Sequence, residues 1–536
     1  MDAGIEVMTT SSNQGEDFTI ATPPSIDCKD ICDKLILTYN ASLIDNFPAD
    51  LRASCIKEAK ECADAPIWRG DRKRTVLAKL IENYSNEKEN PSIYPRYIDG
   101  PLNISCHWST YYQKLIYIFG EFHGNEKDCH TITDEPSVSI EDYLYQHFLK
   151  QIAFTDFLVE MHANVDGYSN VSFKQNSRLN RIRAQFQKCV DSKLRRGEED
   201  CNLSRMHYFD IRQGEVKNGF EMDGTTIIRS VNPMSKFISD IGILINQLTF
   251  TSNFNVDFIQ NVKRLFDFYK SKFDILTVLE NCLTNTNQYI DFFLTEFKKY
   301  KILKKEIDRS NTSVMNMLNI FIHREMIYMT TFVVEDTDEY QNIVKIPNLK
   351  KLEKYTGLFI ETYLNIILFH EKYFNPKDIT PEDKQGTIEA FDNIKIYLYK
   401  MRSIVINYNA LIADAYVLAR IFKKFNIDTK DPLKRRETDE PEEPRNIIIY
   451  AGNGHCQRYR KFLTEYLNFE DKGTDGTGIV NDADIPNEPR YCIDMKNFNQ
   501  PLFSIWPSSP PSMHFPSPPS SPPCRSPRPL TRSRYS

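Results

Sequence analysis

Four short stretches of this sequence bring together residues that could do chemistry. They are Glu121 and His123 in Gly120-Glu-Phe-His-Gly124, Glu160 in Val159-Glu-Met-His162, Asp210 in Tyr208-Phe-Asp-Ile-Arg212, and His455 in Gly452-Asn-Gly-His455. Carboxylate oxygens and imidazole nitrogens suit Mn, Zn, Co or Fe(II), and a metal that keeps one position for water lowers its pKa to about 7. Without a metal, the same groups can serve as general acid and base. One Glu or His of this kind is more often a hydrogen-bonded structural residue. Four of these stretches, each tied to an apolar run, point to a site.

The apolar runs set where these residues stand. Leu115-Ile-Tyr-Ile-Phe119 is β-branched and aromatic, a buried strand that stops at Gly120. Ser139 with Asp142 can cap a helix whose stripe is Ile140, Leu144, Phe148 and Ile152. Thr155 to Glu160 is the next strand, so strand, helix and strand form a βαβ unit, which builds a parallel sheet. Parallel strands put Glu121, His123 and Glu160 at the carboxyl edge, where open α/β sheets hold their ligands. Arg205 to Arg212 is a third strand, and Asn446-Ile-Ile-Ile-Tyr450 a late one that leads into the Gly452 to His455 turn. The expected class is α/β, a mostly parallel sheet core with a large inserted helical block.

Residues 1–26 are polar and without apolar periodicity, and 27–101 form a helical lead-in broken by Pro48 and Pro66. The α/β core occupies 102–231 and 428–506, and 232–427 is helical almost throughout. Its longest register, Phe391, Ile394, Leu398, Met401, Val405, Tyr408, Ile412, Ala415 and Ala419, alternates steps of three and four. Gly473 to Gly478 reads as a glycine-rich loop and Tyr491 to Met495 as a short apolar run. The tail, 507–536, is Pro- and Ser-rich with four arginines and no acid, a disordered segment able to recruit a phosphorylation- or proline-dependent partner.

Composition narrows the class. With 41% hydrophobic and 26% charged residues and a formal charge of -6, nothing calls for nucleic acid or an anionic membrane. No apolar run is long enough to span a bilayer and no signal sequence opens the chain, so the expected compartment is cytoplasmic. The 12 cysteines lack zinc-knuckle spacing, and most read as free thiols.

Gly120-Glu-Phe-His123 after a strand, Val159-Glu160 ending the next and Gly452-x-Gly-His455 after a late one resemble the erythromycin esterase, ChaN and TraB/TIKI-like superfamily. The match covers roughly 102–225 and 445–500. The resemblance implies a parallel-sheet core with a helical insertion and a site made by Glu121, His123, Glu160 and His455. It also implies ester hydrolysis, metal-dependent peptide cleavage or haem binding, with a small molecule or peptide as substrate.

Other residues have plainer alternatives. His162 shares strand parity with Glu160, as a fifth ligand or a supporting or surface residue. Asp210 orients a ligand and Arg212 holds an anionic substrate group, unless the two form an internal salt bridge. Asp414 and Arg420 read as structural pairs that fasten the helical block, and His323 and Arg324 as packing and surface residues. Gly452-Asn-Gly454 is no dinucleotide loop, because Gln457 stands where a third glycine belongs. Cys456 reads as helix packing. Deleting Pro507 to Ser536 is expected to leave the melting temperature of the folded core unchanged in differential scanning calorimetry. A large drop would show that the tail docks on it.

Overall fold

The computed structural model describes residues 35–64, 72–122, 129–162, 178–190, 203–211, 301–332, 410–425, 441–480 and 489–506, with a few isolated positions between them. Nine strands are described: β1 (Tyr97–Asp99), β2 (Asn103–Ser109), β3 (Lys114–Glu121), β4 (Ser137–Ser139), β5 (Thr155–His162), β6 (Ser204–Asp210), β7 (Asn446–Gly452), β8 (Glu470–Gly476) and β9 (Cys492–Asp494). The helices are α1 (Ala49–Asp64), α2 (Arg72–Glu89), α3 (Cys129–Ile132), α4 (Ile140–Leu149), α5 (Arg178–Val190), α6 (Lys301–Asp308), α7 (Thr312–Phe332), α8 (410–421) and α9 (Asn453–Lys461).

The main sheet has six strands in the order β6-β5-β7-β3-β2-β8. Strands β6, β5, β7 and β3 are mutually parallel, and β2 and β8 add an antiparallel margin. The protein is α/β with a mostly parallel core. Strand β7, from the far end of the chain, lies between β3 and β5. Its seven residues are all buried, as expected of a central strand written Asn-Ile-Ile-Ile-Tyr-Ala-Gly. A three-stranded sheet, β4-β1-β9, packs beside it. Most of the glycine-rich stretch expected to be a loop belongs to the edge strand β8, which pairs with β2 through its backbone although none of its residues is buried.

The two faces of the sheet are covered differently. Alternation sends Leu115, Tyr117, Phe119, Phe157, Val159, Ile448 and Tyr450 into one cluster, shared with α4, α5 and the terminal Leu502, Phe503 and Trp506. Ser139 caps α4 by accepting a hydrogen bond from the amide of Asp142 at 3.3 Å. The other face, with Ile116, Ile118, Leu158, Ile447 and Ile449 all buried, has α9 packed on β3 and β7. There Cys456 donates to the carbonyl of Phe119 at 3.3 Å, and Phe209 packs edge-on against Tyr459.

Helices α6, α7 and α8 belong to the expected helical block, most of which lies outside the described residues. A buried ionic group joins the block to the amino end of the sheet. Arg205 grips Asp156 at 2.6 and 3.0 Å, Arg420 donates to His207 at 3.1 Å, and Glu306 takes Lys423 at 2.9 Å and Arg420 at 3.3 Å. Arg420 thus fastens the block, as its sequence position suggests. Asn446 pins the start of β7 to the lead-in through the carbonyl of Thr38 and to the start of β5 through that of Phe154, each at 3.1 Å.

Cys129 and Cys492 form a disulfide across 363 residues, an exception among cysteines read as mostly free thiols. No spacing rule could announce it. Cys55, Cys106 and Cys456 are buried and not disulfide-bonded. Among the described residues, no helix is long and apolar enough to cross a membrane.

The glycines of the two motifs have different duties. A Cβ on Gly120 would meet Asn103 Oδ1 at 2.5 Å and Asn453 Oδ1 at 2.8 Å, whereas one on Gly454 would meet nothing within 4 Å. Gly120→Ala is therefore expected to cost about 1–3 kcal/mol in denaturant unfolding. Gly454→Ala, inside α9, is expected to be neutral or to stabilise by up to about 1 kcal/mol. Equal effects would contradict this division.

Candidate functional site

The carboxyl ends of β3, β5, β6 and β7 share one edge, and β7 runs into α9 with no intervening loop, Gly452 being the N-cap. That junction places His455 in the first turn of α9, above the sheet edge. It also leaves helical amides facing the end of β5. Glu160 takes one of them, accepting from the Gly452 N–H at 2.7 Å through Oε2. A carboxylate at a helix amino end satisfies an orphan donor and meets the positive end of the helix dipole.

The other oxygen of Glu160 faces His455, with Oε1 3.2 Å from Nε2. The second ring nitrogen, Nδ1, lies 2.5 Å from Oδ1 of Asp414. Asp414 arrives from α8 and is fully buried; its other oxygen accepts from Arg458 Nε at 2.5 Å. The cluster is thus Glu160, His455, Asp414 and Arg458 in sequence, two carboxylates and two cations. Burial pushes the His455 imidazole down, but the charges of Asp414 and Glu160 and their hydrogen bonds outweigh it and raise it to about 9. Burial pushes the Asp414 carboxyl up, and Arg458 and His455 reverse this, so it lies below the ordinary carboxylate range. His455 is an imidazolium held between two carboxylates.

Glu121 reaches the same edge from the other face. It continues the parity of Leu115, Tyr117 and Phe119, is buried, and accepts a hydrogen bond from the hydroxyl of Tyr450. Burial and the neighbouring Glu121 hold the Tyr450 hydroxyl well above its usual range, so it remains a donor. Glu160 alternates with Val159 and Met161, which face the α4–α5 cluster, and so turns toward α8 and α9. The register shift of β5 against β6 between Val159 and His162 falls at this point. Glu121 and Glu160 therefore flank the end of β7 from opposite sides, each with its own partners.

The remaining candidates divide as follows. His162 is in β5, paired with Asp210 across the register, and Asp210 is buried at the end of β6. His123 and Arg212 lie outside the described residues. Among the described residues, no group of three or more His, Cys, Asp or Glu side chains is arranged to hold a metal ion. Asp414 makes the structural pair expected of it, fastening α8 to the core through Arg458, and it also engages His455, a partner the sequence did not indicate. Its signal is an acid inside a helical stretch otherwise buried and apolar, from Ala410 to Ala419. Arg458, one helical turn after His455, was not singled out.

The raised imidazole makes stability depend on pH. A group bound more tightly to its proton in the folded state stabilises fully below its unfolded value of 6.5, and this is lost as pH rises through about 9. In chelator-treated protein, unfolding free energy is expected to decline from pH 6.5 to 9, and His455→Gln is expected to flatten that slope. An unchanged slope in the variant would show that His455 titrates normally. Neither family models, curated proteins nor solved structures give a match to this chain.

Proposed function

We propose that the chain is a hydrolase of ester or amide bonds, working by metal-assisted or general-base activation of water at Glu160 and His455. One observation carries this reading: Asp414 on Nδ1 of His455, with Nε2 aimed at Glu160 on the sheet edge. A carboxylate behind a histidine fixes its tautomer, orients its ring and raises its basicity, the arrangement found behind both metal-binding and base histidines. The resemblance of the glycine-led motifs to the erythromycin esterase, ChaN and TraB/TIKI-like superfamily supports the same reading.

The metal reading calls for a divalent ion such as Mn, Zn, Co or Fe. Glu160 and Nε2 of His455, once that nitrogen has given up its proton, would hold it; Glu121 lies on the opposite flank of β7 and does not join them, so the described residues supply two ligands and not a full set. When bound, the metal supplies Lewis-acid polarisation and a lowered water pKa. The chain's own groups do the rest. Asp414 holds the ring, Arg458 keeps Asp414 ionised, and the Gly452 amide orients Glu160. Tyr450 holds Glu121 on the opposite flank. Asp210 and Arg212 would orient a ligand and hold an anionic group of a small-molecule or peptide substrate.

A second reading has one observation in its favour: both nitrogens of His455 are engaged within a charge-balanced cluster. On that reading the protein is a non-catalytic metal- or haem-binding or structural protein that recruits partners through its 507–536 tail. A cytoplasmic setting is also a proposal, and the Cys129–Cys492 bond favours a compartment or moment in which this pair is oxidised.

Metal analysis of the purified chain, with isothermal titration and an ester and peptide hydrolysis screen, separates the readings. Asp414→Asn is expected to weaken metal affinity by about 10–100-fold with the fold retained. Glu160→Gln and His455→Ala are expected to abolish both binding and turnover. Metal binding equal in all four proteins would sink the proposal, and bound metal or haem without turnover would favour the second reading.

A further inference from the structure

The two halves of the disulfide differ in burial. Cys129, the first residue of α3, is fully buried, and its N–H donates to Asp99 Oδ1 at 2.9 Å. Cys492, the first residue of β9, is only half-buried and lies on an edge strand of the three-stranded sheet. We propose that Cys129–Cys492 is a reversible thiol–disulfide exchange site, entered by an external thiol or disulfide at the sulfur of Cys492, with Cys129 as the buried resolving cysteine.

Reversibility follows from what else holds these elements. β1 pairs with both β4 and β9 through its backbone. Arg96 joins Glu135 at 2.7 Å to Asp494 at 3.2 Å, the Asp494 N–H donates to Asp475 at 2.9 Å, and Asp99 accepts from both Cys129 and Ser137. The bond can therefore open while the small sheet stays assembled. The described cysteines outside the disulfide do not compete for an oxidant. Cys55, Cys106 and Cys456 are buried, and burial pushes the thiols of Cys106 and Cys456 up to about 12, where little thiolate forms.

The exchange balances with a thiol of the glutathione class as reductant. Its thiolate attacks Cys492 Sγ, the sulfur–sulfur bond breaks, and the electron pair leaves on Cys129 Sγ, which takes up a proton. A second reductant thiolate attacks the reductant's sulfur in the mixed disulfide and releases Cys492 as a thiol. Two reductant thiols become one disulfide, and the protein gains two thiols; oxidation runs the same steps backward. Because Cys129 opens α3 eight residues beyond Glu121, the thiol balance of the surroundings sets whether the chain past β3 is tied to β9. This inference does not rest on the hydrolase reading.

The test uses the full oxidised chain in a glutathione redox buffer, quenched with acid, alkylated and mapped by peptide mass spectrometry. In the wild type the trapped glutathione adduct is expected on Cys492 and not on Cys129, with the circular dichroism of the folded chain retained on reduction. In single variants, Cys129→Ser is expected to gain glutathione on Cys492 at least about tenfold faster than Cys492→Ser gains it on Cys129. An adduct on Cys129 of the wild type, a bond that resists glutathione until denaturant is added, or loss of the folded signal on reduction would each overturn the proposal.

Discussion

The structure turns on a buried imidazolium. His455 sits between Asp414 and Glu160, and those three residues come from α9, α8 and β5, elements separated by long stretches of chain. Removing any one would leave a charge without its partner at a buried position, a cost that an isolated surface ion pair never carries. Arg458 brings the count to two carboxylates and two cations, so the group is neutral as a whole while each member is fixed in direction. Such a cluster both stabilises a fold and sets the orientation and pKa of one histidine. For the ring to act as ligand or base, Nε2 must give up its proton and its contact with Glu160, which makes its pKa the quantity that couples the two roles.

Helix α8 links the two ends of the sheet. Asp414 belongs to the cluster at the carboxyl edge, and Arg420, six residues later, belongs to the ionic group with His207 and Glu306 at the amino end. The apolar face between them, Ala413, Val417 and their neighbours, is buried. A rigid helix fixed at one end by Arg420 delivers Asp414 at the other within hydrogen-bond tolerance, the kind of support a catalytic or ligand histidine needs. At the amino end, burial pulls the His207 imidazole down and Arg420 adds to this, overcoming the pull of Asp156, so the ring accepts from Arg420 as a neutral group. The two histidines, His207 and His455, thus take opposite protonation states from opposite charge surroundings.

Much of this was legible in the residues. Runs such as Leu115 to Phe119 and Ile447 to Tyr450 are too apolar and β-branched to be anything but buried strands, and Ser139 announces its helix by a cap. Their ends gave Glu121, Glu160, Asp210 and His455 as residues of one edge, since parallel strands align their termini. What the pattern could not carry was which face each residue takes. A strand-end carboxylate read alone could be drawn to either side, and the placement of β7 between β3 and β5 is what sends Glu121 to Tyr450 and Glu160 to His455. Asp414 was legible as an acid that pairs the helical block with the core, but its partner His455 was not, because that residue is 41 residues away across a charge-dense linker and periodicity speaks only of the helix Asp414 stands in. Strand β8 escaped because edge strands need backbone pairing and not apolar side chains. The Cys129–Cys492 pair is a property of three-dimensional proximity alone.

The central claim, that His455 is an imidazolium bridging two carboxylates, is tested most directly by the nitrogen-15 resonances of its ring in metal-free protein at pH 7.5. The account predicts two protonated nitrogens, each hydrogen-bonded, a ring that loses its charge only as pH passes about 9, and a shift toward neutrality in Asp414→Asn. A ring already neutral at pH 7.5, with one nitrogen bare, would contradict it.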